Sequence, residues 1–70
     1  MSLSARNRLA GPVTNVETDG LMAEVTVELD DGQEVTTVIT SGSVDRLGIE
    51  EGGEESAVVK ATEVMVETEE

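Results

Sequence analysis

The sequence predicts an all-β domain: a small barrel of five short strands, with one short helix between the third and fourth. Three observations carry that prediction. Apolar and polar residues alternate strictly from Leu21 to Leu29, glycine-bearing turn signals separate the alternating stretches, and a lone helical signature follows Thr40. Alternation with a period of two is what a half-buried strand requires, because successive side chains project to opposite faces.

The first strand is read from Asn7 to Glu17, with Leu9, Gly11 and Val13 inward. Pro12 interrupts it and cannot donate to a ladder, so the strand either lies at an edge there or carries a bulge. Thr18-Asp19-Gly20 makes the first turn. In the second strand Leu21, Ala23, Val25, Val27 and Leu29 share one face, and Met22, Glu24, Thr26 and Glu28 the other. Asp30-Asp31-Gly32 then reverses the chain, since Gly32 takes a positive φ at no steric cost. Val35, Thr37 and Ile39 alternate with Glu34, Thr36 and Val38, which completes a hairpin.

After Thr40 the period changes. Val44 and Leu47 are spaced as the buried pair of a short helix, with Thr40 or Ser41 as N-cap and Gly48 as its stop. Glu50 to Glu55 reads as an acidic, glycine-containing loop, Ala57 to Ala61 as the fourth strand and Glu63 to Glu67 as the fifth, with Val64 and Val66 on one face. Residues 68–70 read as a frayed tail. Strands and helix in this order fit a small OB-like Greek-key barrel, closed or partly open. Residues 1–70 form a single domain without internal repeats.

Composition narrows the function. A chain of 70 residues with no Phe, Trp or Tyr builds its core from Val, Leu, Ile, Met and Ala alone. Each of these contributes roughly 1.5–3 kcal/mol or less on burial. Such a domain commonly completes its core against another copy of itself, so an obligate homo-oligomer is expected. With no Cys and no His, disulfides are excluded, a structural zinc site is disfavoured, and the usual catalytic bases and nucleophiles are missing. The chain therefore reads as a binding protein and not an enzyme. Nucleic acid is disfavoured as a partner, because phosphate contacts need a basic stripe and base stacking needs aromatics.

The formal charge is -12, from 16 acidic and 4 basic residues. Regular apolar alternation argues against disorder, and an acidic surface suits concentrated salt, where the Debye length shrinks to about 3 Å at 1 M. A salt-adapted, halophilic source is the expectation. No apolar run approaches the roughly 20 residues of a membrane span and no signal peptide opens the chain, so the reading is cytoplasmic.

Two of the basic residues sit in short patches at opposite ends: Ser4-Ala5-Arg6-Asn7 and Val59-Lys60-Ala61-Thr62. Arginine offers a planar fork of N–H donors, lysine a compact charge, and serine and small-residue backbone N–H groups the remainder, which is the donor set of a tetrahedral dianion. Each cation has a plainer reading. Arg6 suits a solvated partner for nearby carboxylates, and Lys60 a lysine on a surface face.

The strings "SARN" and "AVVKATEVMV", with "GLMAEVTVEL" and "ITSGSVDRLGIEEG" between them in order, resemble the molybdate-binding Mop proteins, or molbindins. The same module occurs as the TOBE-type ligand domain of molybdate-responsive regulators and transporter ATPases. The resemblance runs from about Leu3 to Val66 and implies the same OB-like fold. It also implies an oxyanion ligand, molybdate or tungstate, with no organic cofactor. The Ser4 hydroxyl, the Ala5 N–H, the Arg6 guanidinium, Lys60 and the Ala61 N–H would hold it, while Asn7 would stabilise the loop. In the family these patches meet at subunit contacts of a hexamer, a trimer of dimers. Glu55-Ser56 departs from the family's apolar residue and Thr, so the packing of that strand is where a difference is expected.

Three further features bear on function. Ser41, Gly42 and Ser43 at the helix start serve either as a plain cap or as a secondary anion site. Arg46 reads as a surface partner for nearby carboxylates. Glu50, Glu51, Glu54 and Glu55 lack the spacing of a dedicated cation loop, so a solvated face and no bare-metal site is the reading. The leading function is storage, buffering or delivery of molybdate or tungstate to cofactor assembly. The alternatives are a stand-alone regulatory module that responds to oxyanion through a protein partner, and a barrel that binds nothing.

Overall fold

One long strand organises the molecule. The computed structural model describes residues 6–68, and in it β1 (Asn7–Asp19) is bordered by two different strands. Its first half, Asn7 to Pro12, pairs antiparallel with β4 (Glu54–Val59), and its second half, from Val13, pairs antiparallel with β2 (Met22–Glu28). β2 in turn pairs with β3 (Glu34–Thr40), giving the order β3-β2-β1-β4. Pro12 is the final β1 residue paired to β4, and the β1·β2 register slips between Val13 and Asn15. The residue without an N–H thus stands where the strand changes partner, and an irregularity follows directly.

Gly11 allows the sheet to curl. A Cβ built there would lie 1.9 Å from the carbonyl oxygen of Glu28, so the end of β2 approaches β1 where no side chain fits. Alternation along the strands then defines the interior. Val13, Ala23, Val25, Val27 and Val44 are buried, with Val16, Ile39 and Ile49 packed against them. Thr26, on the opposite face of β2, is also buried, beside Thr36 of β3 with the two hydroxyl oxygens 3.5 Å apart.

α1 (Ser41–Leu47) follows β3 without a gap. Thr40 is the N-cap, its Oγ1 accepting the Ser43 N–H at 3.1 Å, and Gly48 closes the helix in the left-handed region at φ 67. Val44 is buried as expected, but Leu47 is 61% exposed. The pair is therefore half right: Leu47 stands at the rim of an apolar groove that also takes in Val25, Val27, Val35, Ile39 and Val59. Leu21 is likewise exposed, because it belongs to the turn with Gly20 and not to β2.

The strand count needs correction, from five to four. Glu54 and Glu55 belong to β4 and not to the preceding loop, and Glu55 is half-buried opposite Gly11. The expected fifth strand, Glu63 to Glu67, is absent. Ala61–Glu63 forms a 3₁₀ turn, and residues 64–68 carry no ladder. Val64 itself is extended (φ -90, ψ 128), but an extended segment is a strand only where a neighbour supplies hydrogen bonds, and among the described residues none pairs with it. The sheet is thus a partly open barrel, with the apolar groove of about 360 Å³ between the β3 and β4 sides.

Candidate oxyanion site

The β1·β4 ladder brings the two ends of the sequence together. Asn7 pairs with Val59, Arg8 with Val58 and Leu9 with Ala57. Along this ladder odd-numbered residues are partly buried or buried and even-numbered residues exposed. One step beyond the Asn7–Val59 pair, the same register sets Arg6 beside Lys60, both exposed and both on the outward face. Residues directly opposite in an antiparallel pair have Cβ atoms about 5 Å apart. The ladder therefore brings the backbone positions of an arginine and a lysine separated by 54 residues to the same end of the sheet.

Asn7 holds this arrangement. Its side chain faces inward, and Nδ2 donates to the Val59 carbonyl at 3.2 Å, adding a side-chain tie to the final recorded rung. That fits the structural role expected of it. Lys60 is extended (φ -66, ψ 139) and precedes the 3₁₀ turn, its carbonyl accepting the Glu63 N–H at 2.9 Å. Ala61 opens that turn, and the first N–H groups of a helical turn have no partner inside it. Ser4 and Ala5 lie outside the described residues.

Like charges directly opposite in a sheet repel and destabilise the pair. Among the described residues none of the side-chain hydrogen bonds engages Arg6, Arg8 or Lys60. Arg8 was not among the residues the sequence singled out. It shares the outward face with Arg6 two residues away, and the same period-two count that sorted the core would have found it.

The other candidates sit elsewhere. Ser41 Oγ donates to the carbonyls of Gly20 and Met22 at 2.9 and 3.2 Å, and Thr40 Oγ1 donates to Ser43 Oγ at 2.8 Å. The hydroxyls of Ser41 and Ser43 are thus occupied in fastening and capping α1. Gly42 between them is exposed. In the acidic segment, the Glu51 carboxylate accepts the Val16 N–H at 3.3 Å, while Glu54 and Glu55 turn to opposite faces of β4. Among the described residues no three potential cation ligands converge, and no helix is long and apolar enough to cross a membrane.

Residues 3–66 match the family described as the TOBE domain. The molybdenum-pterin-binding protein 2 of Clostridium pasteurianum is 46% identical over 66 residues, spanning 94% of this chain and 97% of that relative. This chain belongs to the Mop group of TOBE domains. Solved structures agree in fold as well as sequence. A molybdate binding protein from Sporomusa ovata superposes on this Mop chain with a TM-score of 0.90 at 34% identity, covering 97% of this chain and all of the other. The cytoplasmic molybdate-binding protein ModG, in a form with molybdate bound, gives 0.84 at 46% identity over 87% of this chain and 43% of its own. The OB-like architecture is thus that of known Mop proteins, and the strand count is the point of difference from the expectation.

Proposed function

We propose that this chain binds molybdate or tungstate in the cytoplasm, as a store, buffer or carrier toward cofactor assembly, and that it does no catalysis. The observation that carries the reading is the juxtaposition of Arg6 and Lys60 across the β1·β4 ladder, in a domain whose relatives are named for binding molybdate and molybdenum-pterin. Arg6 clamps two oxygens of the tetrahedral dianion, Lys60 supplies the second charge, and the Ala61 N–H adds a neutral donor. Ser4 and Ala5, immediately before Arg6, complete the shell. Five donors to a charged acceptor, each worth roughly 1.5–3 kcal/mol gross, support micromolar binding after desolvation and ordering.

The ion is held between copies of the chain in a homo-oligomer, a hexamer built as a trimer of dimers. Support comes from the apolar surface left over by a small core: Val64, Met65 and Val66 are 51%, 93% and 88% exposed. A free monomer gains nothing from apolar side chains left so exposed.

Calorimetric titration tests the reading. The parent protein should bind molybdate and tungstate and leave sulfate unbound, and Lys60→Ala should lose at least tenfold in affinity. Undiminished molybdate binding by Lys60→Ala would show that the site has been placed wrongly.

A further inference from the structure

Three rungs of the β1·β4 ladder present their outward side chains in register, Arg8 beside Val58, Ala10 beside Ser56 and Pro12 beside Glu54, and continuing that register one step past Asn7–Val59 sets Arg6 beside Lys60. The face is graded in charge. Three of the chain's 4 basic residues lie at one end, where Arg6, Arg8 and Lys60 meet, and a carboxylate closes the other. In a chain with 16 acidic residues, that segregation sets this end apart from the rest of the surface.

Geometry sets Arg8 one strand repeat from the Arg6 and Lys60 end of the ladder. Residues two apart on one strand are separated by about 6.7 Å, and diagonal cross-strand neighbours by about 7–8 Å. Arg8 therefore stands at that distance from both Arg6 and Lys60. Its direct partner is Val58, which offers no charge, and it shares an open, shallow groove with Ala10, Ser56 and Glu54. Small neighbours leave the long side chain free to lean along the strand toward either charged end.

We propose that Arg8 is a third cationic arm of the oxyanion site, adding to Arg6 and Lys60 an attraction that scales with ligand charge. This rests on the reading that Arg6 and Lys60 hold the ion. Unlike them, Arg8 acts at a distance, drawing in a dianion more strongly than a monoanion, while the Glu54 carboxylate in the same groove opposes that attraction. For a dianion about 8 Å away in nearly aqueous surroundings, the Coulomb attraction corresponds to roughly a fivefold gain in affinity.

The test is tungstate titration of the assembled protein at a series of potassium chloride concentrations. Arg8→Gln should weaken binding about fivefold in dilute salt and make the dependence of log Kd on log salt shallower, with an unchanged melting temperature. Arg8→Lys should restore most of the loss, and Glu54→Gln should tighten binding. Arg46→Gln, which removes the remaining cation in the last turn of α1, should alter nothing. If Arg8→Gln matches the parent in both affinity and salt slope while Lys60→Ala does not, the third arm is refuted and the two-cation site stands. Binding that survives Lys60→Ala removes the site itself.

Discussion

Asn7 and Val59 are tied twice, once as the last recorded rung of the β1·β4 ladder and once through the Asn7 Nδ2 donating to the Val59 carbonyl at 3.2 Å. The pair joins residues 52 positions apart and lies one step inside Arg6 and Lys60. Asn7→Ala removes a single partly buried hydrogen bond, so global stability should fall by only about 1 kcal/mol. Oxyanion affinity should fall by about tenfold, because the strand ends that carry both charges are then free to separate. Denaturant unfolding and calorimetry on the same variant separate these effects. Reduced stability with undiminished oxyanion affinity would make Asn7 merely a stabilising residue.

Gly11 is the glycine least able to accept a side chain. A methyl group there meets the Glu28 carbonyl oxygen at 1.9 Å, and a backbone atom in a packed sheet cannot swing aside as a side chain can. Gly11→Ala should cost about 3 kcal/mol or more, which in a domain this small lowers the melting temperature by roughly 12 °C or prevents folding. Gly42→Ala provides the contrast. Nothing lies within 4 Å of its Cβ position and it sits within α1, so the change should be neutral or raise stability by up to about 1 kcal/mol.

Strands were legible in the sequence where one face was buried within the chain. Ala23, Val25 and Val27, and Val35 with Ile39, advertised their strands because burial demands a period of two. Thr40 and Gly48 marked the ends of the helix through local hydrogen bonding and backbone preference alone. What sequence could not supply was the partner of each strand. Val64 and Val66 carry the same alternation as a paired strand, yet pairing depends on a neighbour that the described residues do not offer. Arg6 and Lys60 were selected by chemistry and resemblance, but only the register of β1 on β4, continued one step past Asn7 and Val59, sets them at the same end of the sheet, with Arg8 on the same outward face.

Acid should reveal one local contribution. The Asp31 carboxylate accepts the Gln33 backbone N–H at 3.1 Å and the Gln33 Nε2 at 2.6 Å, and these bonds hold its pKa below the ordinary 3.8. A carboxyl whose folded pKa is depressed stabilises the protein above its unfolded value and loses that contribution as pH falls through the folded one. Asp31→Asn should therefore flatten the stability profile below about pH 4 and leave the shape of the profile between pH 6 and 8 unchanged. Equally steep acid unfolding in parent and variant would contradict the assignment.

Net charge predicts a response to salt. At -12 on 70 residues, like charges crowd the surface at distances comparable with the Debye length of about 10 Å at 0.1 M salt. Raising potassium chloride to 1 M shortens that length to about 3 Å and should raise the melting temperature by at least about 5 °C, equivalent to roughly 1 kcal/mol. Potassium chloride is the salt to use, since sulfate would add a tetrahedral dianion of its own. A melting temperature indifferent to salt would leave the acidic surface without this explanation.

The last prediction concerns assembly. Val64 and Val66 flank Met65 in a segment that follows the 3₁₀ turn, and the sheet leaves β3 and β4 as edges on either side of an apolar groove of about 360 Å³. Among the described residues the buried apolar core has five members, all alanine or valine, which is thin for a domain of this length. Apolar area buried between copies is the remaining source of stability, at about 25 cal/mol per Å². Light scattering should therefore find the parent as an oligomer whose melting temperature rises with protein concentration. Replacing Val64 and Val66 together by Lys should shift the protein toward monomer, abolish the concentration dependence and weaken oxyanion binding in step. A parent that is monomeric and equally stable at every concentration would separate the binding site from assembly and confine it to Arg6, Arg8 and Lys60 of a single chain.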